Sequence, residues 1–102
     1  MKFFVLALFF ISSAHAQLEG RWLGVGGVKL TDGKTTMLFD PVITKPTLSH
    51  WLFNDEIIPN RDTVTARLKL WNVTQAQAVF VSHTHFDHAT DVGIVAELTG
   101  AT

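Results

Sequence analysis

The sequence predicts an α/β domain. Short β-rich runs begin soon after residue 17, and an apolar run at residues 78–81 stands between two stretches with helical spacing. A short continuous apolar run that follows a polar stretch is typical of a strand buried on both faces. The order is therefore strands, helix, buried strand and helix, which indicates an α/β arrangement.

Three strands are expected before residue 41. Residues 21–25 and 28–30 form two β-rich runs, and residues 35–39 form the third. The Thr-Asp-Gly-Lys sequence at residues 31–34 predicts a turn, because an Asp-Gly pair is suited to a positive φ. Asp40, followed by a proline, ends the third strand, since proline cannot continue a central ladder.

One helix is expected to begin near residue 62, with Asp62 or Thr63 as its N-cap. Its apolar side chains recur at i, i+4 and i+7 and share one face. These side chains are Val64, Leu68 and Trp71. A second helix is expected over residues 89–98, and Gly100 is the expected stop.

Residues 42–60 give mixed signals and predict a loop with a short helical turn. Pro46 and Pro59 interrupt the segment, and its bulky apolar residues follow no clear period. Those side chains are expected to cover an edge of the core, with a place at a substrate mouth as the alternative. His50 has no partner nearby in sequence and is expected to be solvated.

Several other residues are expected to have packing or solvent roles. The glycines at positions 24, 26 and 27 lack the spacing of a nucleotide-binding loop, so they predict a turn or close packing. The tryptophans are expected to pack in the core or at its edge: Trp22, Trp51 and Trp71. The basic residues Arg61, Arg67 and Lys69 are expected to form a solvated helix face.

Residues 1–16 have the three regions of a signal peptide. Lys2 supplies the positive region, residues 3–11 are all apolar, and an Ala-x-Ala sequence ends at Ala16. The apolar run is too short to span a bilayer as a helix. We therefore expect export to the periplasm or the medium, with cleavage after Ala16 and no stable membrane span.

Charge and cysteine content narrow the class of protein further. Without the leader the chain keeps seven Lys and Arg residues against nine Asp and Glu residues. Such a near-balance predicts neither a nucleic-acid partner nor an anionic membrane surface as partner. The chain has no cysteine, so a disulfide framework is excluded and the core, a metal or further protein must stabilise the domain.

A cluster of histidines follows the buried strand directly. His83, His85, Asp87 and His88 fall within six residues, at the point where the chain turns into the next helix. In an extended segment His83 and His85 point the same way, which favours a pair of nitrogen ligands for Zn²⁺. Asp87 and His88 lie past the bend and offer an oxygen and a nitrogen to a second metal. Zinc suits this mixed donor set, and iron or manganese would suit it too.

These four residues match in full the His-x-His-x-Asp-His signature of the metallo-β-lactamase superfamily, which the chain resembles. The chain also resembles the opening strands of the lactonase-like and phospholipase-D-like branches of this superfamily. The resemblance lies in the Arg-Trp-Leu-Gly sequence at residues 21–24 and the Leu-Phe-Asp-Pro sequence at residues 38–41. The resemblance covers most of residues 21–98. It implies the N-terminal half of an αββα sandwich, incomplete here, with residues 17–102 as the N-terminal part of that domain.

The resemblance also implies a role for each residue of the motif. His83 and His85 would bind the first metal, and Asp87 and His88 the second. Asp87 would in addition orient a metal-activated water and accept its proton. Asp40 matches an aspartate that supports the metal loop; its alternative role is to end the strand. An acidic residue at position 91 is explained by the dipole of the following helix.

The implied function is metal-dependent hydrolysis of an ester, lactone, amide or phosphodiester, with a small-molecule or lipid-like substrate. The family completes its site with ligands well downstream of the signature, whereas only fourteen residues follow His88 and none is histidine. The chain is therefore expected to be a fragment that is inactive by itself. The alternatives are an exported metal-binding protein without catalysis, and a natural truncation without metal that serves as an interaction module.

Overall fold

The computed structural model describes residues 17–102, and the predicted signal peptide lies outside these residues. Its four strands are listed here in chain order: β1 (Glu19–Gly24), β2 (Gly27–Thr31), β3 (Thr36–Phe39) and β4 (Ala78–Phe80). They form one sheet in the order β1-β2-β3-β4. The first two pairs are antiparallel, and β3 pairs with β4 in parallel. The predicted α/β class is confirmed.

The helices are α1 (Leu48–Phe53), α2 (Arg61–Leu70), α3 (Phe86–Ala89) and α4 (Val92–Thr99). The short turn predicted between residues 42 and 60 is α1. The helix predicted over residues 89–98 is α4, but it begins only at Val92, because a turn at residues 90–91 separates it from α3. Gly100 ends α4 in the left-handed conformation, with φ 69°, as predicted. Within residues 17–102 no helix has the length and apolar character needed to cross a membrane.

The prediction of the α2 N-cap was wrong by two or three positions. Asn60 is the N-cap, and its side-chain oxygen accepts a hydrogen bond from the Thr63 N–H at 2.9 Å. Asp62 lies inside the first turn, where its negative charge is favourable near the free N–H groups. The predicted apolar face of α2 is confirmed, because Val64 and Leu68 are buried and Trp71 is buried just after the helix.

The turn between β2 and β3 is the predicted one. Oδ1 of Asp32 accepts hydrogen bonds from the N–H groups of Lys34, at 2.9 Å, and Thr35, at 2.7 Å. Gly33 has a φ of 90°, a conformation that side chains disfavour. These bonds lower the pKa of the Asp32 carboxyl below its usual value, chiefly that from Thr35.

The core joins the sheet to α2 and α4. Leu38 in β3, Val64 in α2 and Val95 in α4 are completely buried. The remaining core residues are Ile43, Leu68, Trp71, Val73 and Ala76. Burial of these apolar side chains is the main force that fixes both helices on the sheet.

The prediction that β4 is buried on both faces was wrong. Ala78 and Val79 are half-buried, and Phe80 is 46% exposed. In the described part of the chain β4 pairs fully with β3 alone; on its other edge Thr102 exchanges backbone hydrogen bonds with Val79 and Gln77. One face of the sheet therefore carries exposed apolar side chains, including the stacked rings of Phe39 and Phe80, 4.9 Å apart.

Two further predictions about side chains need correction. Trp71 packs in the core, but Trp22 is 72% exposed and Trp51 is 66% exposed, because each lies on a surface that the described residues leave uncovered. Arg61 is not merely solvated: its guanidinium donates two hydrogen bonds of 3.0 Å to the Glu97 carboxylate. This exposed ion pair joins the beginning of α2 to α4.

Candidate metal centre

The candidate centre forms at one edge of the sheet because β3 and β4 are parallel and end together. Asp40 follows β3 directly, and its N–H donates to the Phe80 carbonyl at 2.8 Å. The histidine cluster follows β4 directly, at the same edge. Parallel pairing thus brings Asp40 beside a loop that lies more than forty positions further along the chain.

The structure brings three of the predicted metal ligands together. One ligand atom each of His83, His85 and Asp87 lies within 4.8 Å of the others. The rings of His83 and His85 are 4.9 Å apart at an interplanar angle of 78°. His83 and His85 are exposed and Asp87 is half-buried, so a metal ion has access from solvent. Two nitrogens and one carboxylate oxygen at this separation fit a zinc-type donor set.

His88, the fourth predicted ligand, lies against this group on its buried side. Its ring is 4.0 Å from that of His83, and its Nε2 is 3.7 Å from Oδ2 of Asp87. Its Nδ1 lies 2.9 Å from Oδ2 of Asp40. His88 therefore presents one ring nitrogen to Asp87 and uses the other to contact Asp40.

Asp40 organises the loop through a buried carboxylate. Its side chain accepts hydrogen bonds from the Ser82 N–H at 2.7 Å and the Ser82 hydroxyl at 2.6 Å, besides the contact with His88. Burial by itself raises the pKa of Asp40, but the bonds from Ser82 and His88 outweigh it and lower the pKa to about 2. Both roles considered for Asp40 are confirmed, because it also leaves the strand with a φ of 43°.

Two tautomers follow from these contacts. An ionised carboxylate only accepts, so the Nδ1 of His88 carries a hydrogen, and in the neutral ring its Nε2 keeps the lone pair. The single hydroxyl hydrogen of Ser82 goes to Asp40. Nδ1 of His83, 2.9 Å from that hydroxyl oxygen, must then donate to it. Both histidines are left with Nε2 as the free ligand atom, the arrangement typical of metal-binding histidines.

Ser82 is a residue that the sequence analysis missed. A serine before the first histidine carries no signal by itself, and Asp40, the partner that accepts from its hydroxyl, lies 42 positions away. The only usable signal was the Asp-Pro sequence at the end of a strand, which placed an acidic side chain at the same sheet edge.

Gly26 confirms the predicted close-packing role of the glycines. A Cβ atom on Gly26 would lie 2.7 Å from Cε1 of His88 and 3.2 Å from its Nδ1. The turn between β1 and β2 thus supports the ring of His88 from the side. Only a residue without a side chain fits there unless the histidine moves.

The prediction for Asp91 was wrong. It occupies the N-cap position of α4, yet its side chain makes no capping hydrogen bond. The carboxylate is fully buried and accepts from the N–H groups of Ile43 and Thr44, at 2.6 and 2.7 Å, and from the Thr44 hydroxyl at 2.5 Å. These bonds fix the segment that follows Asp40, a role that the helix dipole does not account for.

His50 also departs from its prediction, because it contacts a residue five positions away and another in the distant metal motif. Its Nδ1 is hydrogen-bonded to the Asp55 carbonyl, and its ring lies 6.0 Å from that of Phe86, inside the metal motif. Trp51 contacts the same phenylalanine edge-on at 6.2 Å. His50, Phe86 and Thr84 line an open pocket of about 490 Å³ beside the motif.

A sheet with helices and a cluster of three histidines and an aspartate at its edge define a metal-binding α/β protein. The model of the metallo-beta-lactamase superfamily matches residues 28–102, which include all four residues of the cluster. The chain belongs to this superfamily, as its signature predicted.

A curated relative adds to this assignment. The chain is 35% identical over 72 residues to a UPF0173 metal-dependent hydrolase from Ruegeria sp. (strain TM1040). The match covers 70% of this chain and 24% of the relative, so the chain spans about a quarter of that protein's length. No solved structure gives a significant match.

Proposed function

We propose that this chain carries the first metal ligands of a metal-dependent hydrolase. The observation that supports the proposal most directly is the grouping of His83, His85 and Asp87, whose ligand atoms lie within 4.8 Å of one another. Membership of the superfamily and the name of the bacterial relative agree with it. The activity is proposed for the whole protein, because the chain corresponds to only part of its relative.

The proposed metal is zinc, as one or two ions, with iron or manganese as the alternatives. His83, through its Nε2, and His85 would hold the first ion, and Asp87 and His88 the second. Two protein ligands for each ion fall short of the three that are typical of catalytic zinc. We propose that other parts of the protein supply the remaining ligands.

The proposed reaction is hydrolysis of an ester, lactone, amide or phosphodiester. A bound metal would supply a water of lowered pKa and polarise the substrate oxygen. Asp87, whose side chain is 43% exposed, would orient the attacking water and accept its proton on a carboxylate oxygen. Asp40 and Ser82 would keep the Nε2 atoms of His88 and His83 free of hydrogen throughout the reaction.

The proposed substrate is a small molecule or a lipid-like molecule with an apolar part. The pocket of about 490 Å³ beside the motif supports this, because Phe86 lines it and Trp51 packs on Phe86. His50 lines the same pocket with its Nδ1 already bonded to a backbone carbonyl, so its Nε2 is an acceptor available to the substrate.

We also propose that the protein is exported, to the periplasm or the medium, and cleaved after Ala16. The support is the order of the positive, apolar and small-residue regions in the first sixteen residues. Mass spectrometry of the exported protein tests this directly: a mature N-terminus at Gln17 is expected, and a retained leader contradicts cleavage.

The test of the hydrolase proposal compares the whole protein with a variant carrying His83→Ala and His85→Ala. Metal content is measured by elemental analysis, and turnover is measured on an ester, a lactone, an amide and a phosphodiester. The variant is expected to lose metal and turnover together, while Asp32→Asn, in the distant β2–β3 turn, keeps both. Unchanged turnover in the double variant contradicts the proposal. Stoichiometric zinc without turnover of any substrate favours the non-catalytic metal-binding alternative.

A further inference from the structure

A polar groove of about 480 Å³ lies at the end of the sheet opposite the metal motif. The end of β2, the beginning of β3 and residues 72–77 enclose it. Its lining side chains are all polar, apart from Gly33. The groove therefore has the composition of a site for a charged ligand and not for an apolar one.

The groove concentrates positive charge. Arg21, Lys29 and Lys34 line it, against the single carboxylate of Glu19. Three of the seven basic residues in residues 17–102 thus share one groove, although the acidic residues outnumber them overall. The carboxylate of nearby Asp32 is engaged in its own turn, through Lys34 and Thr35 N–H groups. The Asp32 carboxylate keeps its negative charge, so the three cations exceed the two nearby carboxylates, those of Glu19 and Asp32, by one.

Two of these cations oppose each other directly. Arg21 and Lys29 are register partners in the β1–β2 pair, so their side chains leave the same face of the sheet. Like charges in this position destabilise a sheet. A bound anion between them would turn that repulsion into attraction.

The environment of Lys29 is the strongest single indication that the groove binds an anion. Its side chain is only 6% exposed, and its Nζ donates to the Trp71 carbonyl at 3.1 Å. Its nearest carboxylate oxygen belongs to Glu19, at 3.7 Å, and the Glu19 side chain is 62% exposed. An ammonium has three donors; the Trp71 carbonyl and the Glu19 carboxylate account for two of them, which leaves one donor of Lys29 for a further negative group.

We propose that this groove binds the phosphate group of a small molecule. An anion with several oxygens matches the excess of positive charge, and Arg21, Lys29 and Lys34 would each donate to its oxygens. Gln77 adds a neutral donor: its Oε1 accepts from the Thr36 N–H at 2.6 Å, which leaves its amide N–H groups free for the ligand. This site is separate from the metal centre and does not depend on the proposed hydrolysis.

The test is calorimetric titration of the whole, metal-loaded protein with inorganic phosphate, and with acetate as a monoanionic comparison. The groove variant carries Arg21→Gln and Lys34→Gln, both at exposed positions, so that the buried Lys29 stays in place and folding is preserved. A variant with Arg67→Gln and Lys69→Gln, two exposed cations of α2 outside the groove, is the charge-matched control. A variant with His83→Ala and His85→Ala reports any phosphate bound at the metal centre.

Saturable phosphate binding is expected, weakened by roughly tenfold or more in the groove variant and unchanged in the control and the metal-centre variant. Acetate is expected to bind more weakly than phosphate. Equal phosphate affinity in the groove variant overturns the proposal. So does loss of binding in the metal-centre variant alone, or no saturable binding up to about 10 mM.

Discussion

Nδ1 of His88 lies 2.9 Å from Oδ2 of Asp40, across 48 positions of the chain. A buried carboxylate at the end of one strand thus fixes the ring of a histidine that follows the neighbouring strand. Such a partner sets both the orientation and the tautomer of a metal-binding histidine. The affinity of the site for its metal is therefore expected to depend on Asp40, which does not itself bind the metal.

Replacement of Asp40 by asparagine is expected to weaken zinc binding. The asparagine NH₂ group would face the Nδ1–H of His88, and the histidine would shift its hydrogen to Nε2 to avoid two opposed donors. Loss of such a partner typically costs about 10–100-fold in metal affinity. Zinc affinity is measured by competition with a chelator, and circular dichroism checks the fold. Asp32→Asn, which removes a carboxylate bonded only to backbone, is the control; an equal loss there contradicts the explanation.

Addition of a methyl group at Gly26 is expected to displace His88. The new Cβ would lie 2.7 Å from Cε1 of the ring, closer than real contacts allow, so Gly26→Ala should lower zinc affinity. Gly93→Ala is the matched control, because a Cβ on Gly93 meets nothing within 4 Å. In helix α4 that alanine is expected to raise stability by about 1 kcal/mol. Zinc affinity of Gly26→Ala equal to that of the unchanged protein would show that the turn does not hold the histidine.

Removal of the Asp91 carboxylate is expected to destabilise the fold. Asp91→Ala leaves the buried Ile43 N–H and the Thr44 groups without their acceptor, at a cost of about 1–3 kcal/mol for each unsatisfied buried group. Urea unfolding followed by tryptophan fluorescence measures the free energy of unfolding. Asp62→Ala, at an exposed position of α2, is expected to change it little. If both variants unfold alike, the bonds from Asp91 contribute nothing.

Truncation of Trp51 is expected to reduce selectivity for substrates with a long apolar group. Trp51 packs edge-on against Phe86, which lines the pocket beside the motif, so Trp51→Ala removes the support of that apolar wall. For esters of increasing acyl length, kcat/KM should fall by about tenfold for long chains and little for acetate. Leu52→Ala, equally exposed on the same helix, is the comparison. A uniform loss for all esters would assign Trp51 to stability and not to substrate binding.

The fold could be predicted well wherever a local pattern is strong. The Asp-Gly turn, the apolar face of α2 and the glycine stop of α4 depend on residues within a few positions of each other, and all three are present. The boundaries were predicted less well: Asn60, and not the predicted Asp62 or Thr63, is the N-cap of α2, because several successive polar residues can each serve as an N-cap. Burial of β4 could not be judged, since its apolar composition says nothing about which neighbouring strands are present.

The sequence by itself determined the α/β order of elements and the residues of the candidate metal centre, through the spacing of His83, His85, Asp87 and His88. Those features are encoded over short distances, by side-chain periodicity and by one compact motif. Only the tertiary structure decided what supports them. Parallel pairing of β3 and β4 places Asp40 under Ser82 and His88. Packing of α4 places Asp91 under residues 43 and 44. These partners are 42 to 48 positions apart, and only the folded chain brings them within hydrogen-bonding distance.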